Sequence, residues 1–324
     1  MRKANAFWIK EILRGEIVEE ILPPVKNGWW EIESLFSAVS TGTERLVFTG
    51  RVPEDLYETM RCSYMGGNFP VPVKYGYSLV GRIVGNPMDV MGRVVHLLHP
   101  HQDRVVVRSE DVFMIPHDVP PARATLASNL ETAVNAVWDA QISIGEQALV
   151  VGFGAVGSLL TRVLSSIPGV KVVVVDNDSH KVNFAQKMGF TAYVKLESPG
   201  DFDLSFHTSG SEEGLQTAID AVGIEGRVIE LSWFGNQTVS LELGGTFHSH
   251  RKKIISSQVS LLPSRMKSRW DLVRRKKLVF TLLKDRRFDE HITGTISFTG
   301  LPRFFDKLGA RRVEGLSFLV DYQQ

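Results

Sequence analysis

The run ALVVGFGAVGSLL, residues 148–160, constrains the fold of this chain more than any other stretch. Apolar residues with a strand's texture lead into Gly152-Phe153-Gly154-Ala155-Val156-Gly157, and an apolar pattern at helical spacing follows from Ala155 to Ser166. A second apolar run, VKVVVVD, ends in Asp176, nineteen residues after Gly157. The alternation then continues with a helix over Ser179 to Met188, the runs TAYV and DLSFHTS, a helix over Glu212 to Val222, and GRVIELSW. Near-continuous Val, Ile and Leu strands alternating with helices require a parallel sheet covered on both faces.

The glycines have a mechanical reason. They permit a tight turn and close backbone approach, and the start of the following helix offers free N–H groups to a pyrophosphate. A strand-terminal acid in the place of Asp176 accepts hydrogen bonds from adenosine ribose hydroxyls. A glycine-rich turn that has lost its nucleotide is the other reading, and Asp176 at the strand end argues against it. The same carboxylate repels a 2′-phosphate, and Asn177-Asp178 bring no arginine to clamp one, with Lys181 the only local cation. NAD(H) is therefore expected over NADP(H), in a doubly wound Rossmann domain.

The first 120 residues have a different texture. Val18 to Leu22, Trp29 to Ser37, Ser78 to Val84, Arg93 to Leu98 and Arg104 to Val107 are short β-favouring segments divided by Gly, Pro and Asn turns. From about Ala122, ARATLASNLETAVNAVWDA places apolar residues at helical spacing. The alternation stops near Ser264, and a basic helix around Trp270 to Leu283 precedes a β-flavoured tail expected to return to the first domain. A net charge of +1 offers no field for nucleic acid or an anionic membrane. The lone Cys62 excludes an intrachain disulfide and a cysteine-based structural zinc. MRKANAFWIKEILRGEI is too charged for a signal peptide, and no run of eighteen apolar residues exists. A cytoplasmic protein is expected.

Several motifs recur in an order that resembles the medium-chain dehydrogenase/reductase superfamily over nearly the whole chain. They are Ser40-Thr41-Gly42-Thr43-Glu44, Gly76-Tyr77-Ser78 with Gly81 beyond, Ser128-Asn129-Leu130-Glu131-Thr132, the glycine fingerprint, His207-Thr208-Ser209-Gly210 and Leu231-Ser232-Trp233-Phe234-Gly235. Ser-Thr-Gly-Thr-Glu also resembles bacteriochlorophyllide dehydrogenase. The resemblance implies an α/β architecture, with a GroES-like β-rich catalytic domain over 1–121 and 266–324 and a Rossmann NAD-binding domain over 122–265. It also implies a homodimer, a small-molecule substrate, and no nucleic-acid or membrane partner.

In zinc-dependent relatives the first motif reads Cys-Gly-Ser/Thr-Asp, the second Gly-His-Glu, and a Cys or Glu opens the helix. Here the matching positions are Thr41, Tyr77 with Ser78, and Ser128. Hydroxyls are poor zinc ligands beside thiolate, imidazole and carboxylate, and the cysteine-rich lobe of those relatives is missing. The resemblance thus implies a member without either zinc, its YGYS stretch lining the former catalytic cleft. His99-Pro100-His101 could hold a replacement metal if both rings share one face of a strand, although no third ligand is nominated. The plainer reading is loop histidines bonded to backbone.

Hydroxyl donors must then stabilise the substrate oxygen. Thr43 matches the hydroxyl that relays the alcohol proton in relatives, or else caps a helix through Leu46. Tyr77 replaces a ligand histidine and could donate to a developing alkoxide, with Lys74 lowering its pKa if the ammonium reaches it. His101 is a candidate terminal proton carrier. Glu131 either faces the cleft as a catalytic group or pairs with an arginine. Thr132, Ser209 and Trp233 match positions that line the cofactor, and Ser232 stands where glycine is usual. The leading function is zinc-independent hydride transfer between NAD(H) and an alcohol/carbonyl pair. The alternatives are reduction of quinones or conjugated double bonds, and a non-catalytic NAD(H)-binding redox sensor.

Overall fold

A computed structural model describes residues 1–85, 88–198 and 200–323. It divides into two compact units, Met1–Ser128 with Phe280–Gln324, and Asn129–Val279. Both divisions fall later than the sequence reading put them, at 121 and 265, and specific side chains explain why. Arg123 holds its segment to the first unit through Asp289 and the Leu283 carbonyl. Arg275 ties residues beyond 265 to the second unit through Asn135 and the Val259 carbonyl.

The first unit opens with β1 (Lys3–Glu11), β2 (Arg14–Ile21) and β3 (Trp29–Val39), then α1 (Thr43–Phe48). Next come β4 (Gly66–Gly67), β5 (Val73–Lys74), β6 (Leu79–Ile83), β7 (Val94–Leu97), β8 (Arg104–Arg108), β9 (Val112–Met114) and the short helix α2 (Pro121–Ala124). One sheet has the order β2-β1-β5-β4. β1 was not anticipated, because charges interrupt its sequence. The strand alternates at its start, where Ala4 and Ala6 are buried and Lys3 and Asn5 face out, and the phase then breaks: Phe7 and Ile9 are buried too, and the register with β2 shifts between Ile9 and Glu11. β3 is the centre of the larger sheet and pairs with β6 and β8. A Cβ on Gly81 would stand 2.5 Å from Ile32 Cγ2 and 2.6 Å from the Glu33 carbonyl oxygen. Glycine is what lets β6 lie this close to β3.

The second unit runs α3 (Ala127–Ala140), β10 (Gln147–Val151), α4 (Ala155–Leu164), β11 (Lys171–Val175), α5 (Ser179–Lys187), β12 (Thr191–Tyr193), β13 (Phe202–His207), α6 (Glu212–Ala221) and β14 (Val222–Glu230). α7 (Thr246–Ser249), β15 (Lys253–Ser256) and α8 (Leu272–Leu282) follow. The sheet is parallel throughout, in the order β12-β11-β10-β13-β14-β15. Chain order reverses between β10 and β13, which opens a crevice beyond their carboxyl ends. Leu215, Ala218 and Ile219 of α6 bury one face against Leu149, Val151 and Val228. β15 escaped the sequence reading because the basic run Arg251-Lys252-Lys253 masks it.

In the tail, β16 (Ile292–Ser297), α9 (Leu301–Gly309) and β17 (Ser317–Asp321) belong to the first unit, where β17 pairs with β3 and completes the path β16-β17-β3-β6-β7-β9. Among the described residues no helix is long and apolar enough to cross a membrane.

Candidate active site

At the end of β10 the chain turns through Gly152, whose φ of +102° suits glycine and whose added Cβ would lie 2.6 Å from the Ser209 nitrogen. A Cβ on Gly157 would come within 1.9 Å of the Gly152 carbonyl oxygen. Gly154 differs, since nothing lies within 4 Å of a Cβ placed there. Two glycines serve internal packing and the third keeps a surface bare for a ligand. Gly154 is also the N-cap of α4 without a capping side chain, and Ala155 and Val156 begin the helix, so its first N–H groups are available to a phosphate. Thr208 closes the turn from β13 by donating to the Gly152 carbonyl at 2.7 Å.

Asp176 lies just past β11 and is buried. Its Oδ2 accepts the Phe153 N–H at 2.7 Å and its Oδ1 the Asp178 N–H at 2.9 Å. The acid is thereby locked to the glycine loop, with Asn177 next along the rim. Lys181, the local cation of the sequence, approaches Asp176 Oδ2 to 3.7 Å. Ser209, Ser232 and Trp233 follow β13 and β14, beyond the carboxyl ends of those strands. The cradle, its bare glycine and its rim acid fit a dinucleotide.

In the first unit, hydroxyls cluster between the end of β3, α1 and the β5–β6 connection. Half-buried Tyr77 donates to Ser40 Oγ and also hydrogen-bonds the Thr43 side chain. Burial pushes the Tyr77 phenol up to about 12, against the opposing hydrogen bonds of Ser40 and Thr43, and the Glu44 charge adds to the rise. Tyr77 is therefore a proton donor at neutral pH. Lys74 does not lower it: that ammonium is held by Glu20 at 2.6 Å and by Gln102 at 2.8 Å. Thr43 is the first residue of α1, whose N-cap is Gly42, so Thr43 does not cap the helix.

Beneath these hydroxyls lies a buried chain. Glu44 Oε1 accepts the Ser40 N–H at 2.7 Å and Oε2 meets His101 Nε2 at 2.9 Å. A carboxylate oxygen only accepts, so Nε2 carries hydrogen, and in the neutral ring Nδ1 accepts from Ser37 at 2.7 Å. Tyr322 from the tail reaches Ser37 at 3.0 Å. The structure thus brings Thr43, Tyr77 and His101 together, with His101 buried under the cluster rather than at a surface. Glu44, Ser37 and Tyr322 were missed. Glu44 stood inside a motif already singled out, whereas Tyr322 lies 285 residues from Ser37 and carried no local signal.

Glu131, read as either a cleft residue or an arginine's partner, sits in a buried ion cluster. Its carboxylate is 2.5 Å from Lys276 Nζ and 3.4 Å from Arg275 Nε, all three side chains being buried. It couples α3 to α8. Thr132 follows it on α3, half-buried.

The positions that hold catalytic zinc in relatives do not fit a metal here. Ser78 Oγ donates to the Thr125 carbonyl at 2.6 Å and Ser128 Oγ to the Tyr77 carbonyl at 2.8 Å. The second ligand position is a phenol held protonated. His99 and His101 do not share a strand face, since β7 ends at Leu97. His99 Nδ1 bonds the Pro100 carbonyl at 2.8 Å and its ring stacks on Tyr64, while His101 turns to Glu44. Among the described residues no group of three His, Cys, Asp or Glu side chains is placed to hold a metal ion.

The family described as zinc-binding dehydrogenase matches residues 155–275, from the start of α4 into α8. L-threonine 3-dehydrogenase of Cronobacter sakazakii is 23% identical over 208 residues, half of this chain and 61% of that relative's own length. Two solved structures align over 99% of this chain and 100% of their own. One is a short chain alcohol dehydrogenase from Escherichia coli CFT073 complexed with NADH, with TM-score 0.78 and 14% identity. The other is a zinc-binding dehydrogenase from Sinorhizobium meliloti bound to NADP, with TM-score 0.76 and 16% identity. At these identities the two structures establish the shared fold.

Proposed function

We propose that this chain, which belongs to the medium-chain dehydrogenase/reductase superfamily, is a zinc-independent oxidoreductase that exchanges a hydride between NAD(H) and an alcohol/carbonyl substrate. The observation that carries the zinc-independent part is that the positions matching the relatives' metal ligands hold Thr41, Tyr77, Ser78 and Ser128, with the Tyr77 phenol bonded to Ser40 and Thr43 beside them. When bound, the nicotinamide supplies or accepts the hydride. The glycine loop and α4 receive its pyrophosphate, and Asp176 takes the adenosine ribose hydroxyls and disfavours a 2′-phosphate.

In carbonyl reduction the single Tyr77 O–H turns from Ser40 Oγ to the substrate oxygen as negative charge develops there, and Thr43 supports the phenol. Glu44 and His101 hold Ser40 and the start of α1 in place, so that the donors are oriented before the substrate arrives. A homodimer in the cytoplasm is part of the same reading. One observation favours a second substrate class. A phenol raised to about 12 is a weak acid, and reduction of an enone or quinone asks less of an acid than reduction of a simple ketone.

NADH oxidation in EDTA across aldehydes, ketones, enones and quinones tests both readings. Turnover of simple carbonyls is expected, with Tyr77→Phe lowering kcat/KM at least tenfold, about 1.4 kcal/mol of transition-state stabilisation. An unchanged rate in Tyr77→Phe removes the phenol from the mechanism. Turnover of enones or quinones alone transfers the assignment to conjugate reduction.

A further inference from the structure

β13 and β14 end side by side, with His207 and Glu230 paired across the parallel ladder. The His207 ring is fully buried, its Nδ1 2.6 Å from Glu230 Oε2 and its Nε2 2.7 Å from Ser209 Oγ. The carboxylate oxygen can only accept, so Nδ1 carries hydrogen, and in the neutral ring Nε2 accepts the Ser209 hydroxyl. The other carboxylate oxygen, Glu230 Oε1, takes the Ser232 N–H at 2.5 Å. Ser232 Oγ accepts the Gly210 N–H at 3.0 Å, which ties the loop after β14 to the loop after β13. Phe234 stacks on the imidazole at 5.8 Å and 22°.

Two features set this network apart from ordinary sheet packing. Burying a histidine beside a carboxylate carries a desolvation cost that an apolar pair would avoid, so holding the strands together does not account for it. Its ends, exposed Ser209 and half-buried Ser232, emerge beyond the carboxyl ends of the strands. They lie across the reversal of strand order from Asp176, on the half of the crevice left to the nicotinamide once the adenosine ribose sits at that acid. Ser232 is also where the superfamily usually has glycine, and its side chain supplies the link to Gly210.

We propose that His207 and Glu230 are positioning residues for the nicotinamide half of the cofactor, fixing the Ser209 hydroxyl and the Ser232 turn in one arrangement. The inference rests on the NAD(H) reading above. Glu230 acts at two points at once, through His207 on Ser209 and directly on the Ser232 backbone, so neutralising it disturbs both loops. The adenosine half, built from Asp176 and the glycine loop, does not use this network.

The test compares NADH and ADP-ribose binding, by titration calorimetry, in the full-length wild type and in Glu230→Gln and His207→Phe. ADP-ribose reports the adenosine and pyrophosphate half alone. NADH affinity should fall at least tenfold in both variants while ADP-ribose affinity stays within twofold. An equal fall for both ligands, or none for either, overturns the positioning role. Should His207→Phe not fold, Ser209→Ala and Ser232→Gly cut the network at its outer ends and must show the same split for the proposal to stand. Wild-type protein that binds ADP-ribose but not NADH would overturn the nicotinamide reading itself, and this inference with it.

Discussion

A histidine's role depends on what its two nitrogens meet, and the contrast between His99 and His101 shows how little of that is local. They are neighbours but one, yet His101 completes a buried chain to Glu44 and Ser37 while His99 meets backbone and an aromatic face. Burial pulls His99 down to about 3 from its ordinary 6.5, with the charges of Lys74 and His101 adding and the Pro100 carbonyl opposing. The unfolded chain therefore binds a proton between about pH 6.5 and 3 that the folded chain refuses, and stability falls as pH falls through that window. Between pH 7 and pH 5 this one group should remove about 2 kcal/mol of stability. His99→Phe keeps a ring against Tyr64 and abolishes the titration. Urea unfolding at the two pH values should show the variant losing about 2 kcal/mol less than wild type on acidification. Equal losses would mean that His99 is protonated in the folded state.

Among the elements, the glycine turn was legible in the sequence because each of its constraints is local: strand, turn and helix follow one another within a dozen residues, and Asp176 closes the unit. The ion cluster of Glu131 with Arg275 and Lys276 was legible only as an oddity, a carboxylate inside an apolar helix, because its partners arrive about 140 residues later on α8. Register hid the His207–Glu230 pair in the same way. Both residues sat in runs correctly read as strands, but which side chains face each other across parallel strands is decided by the sheet and not by either run. The glycine turn permits a clean test at this scale. Gly154→Ala meets no atom within 4 Å, so the protein should retain its wild-type melting temperature. The added methyl occupies the surface reserved for the pyrophosphate, and NADH affinity should fall at least tenfold. Undiminished binding would place the phosphates elsewhere. Gly157→Ala could not make this distinction, since its Cβ collides with the Gly152 carbonyl at 1.9 Å.

For the molecule as a whole, the chemistry of the donor set bears on stability as well as catalysis. A structural or catalytic metal contributes its binding free energy to folding, so a metalloprotein loses stability when a chelator removes the ion. Here the superfamily's ligand positions carry hydroxyls already bonded to the Thr125 and Tyr77 carbonyls and a phenol bonded to Ser40. The lone cysteine, Cys62, is pushed up to about 12, mainly by burial, which withholds the thiolate that zinc would require. Melting curves should accordingly coincide with and without EDTA, and added zinc should not raise them. NADH belongs to the opposite case, because the glycine loop and Asp176 come together only on folding. At a hundred times its dissociation constant NADH should add about 2.7 kcal/mol to the unit that binds it, seen as an upward shift of the melting curve in EDTA. A fall in melting temperature on chelation, reversed by zinc, would refute the metal-free reading and remove Tyr77 as the group that stabilises the substrate oxygen. A shift with NADH alone leaves hydroxyl chemistry to account for the substrate oxygen.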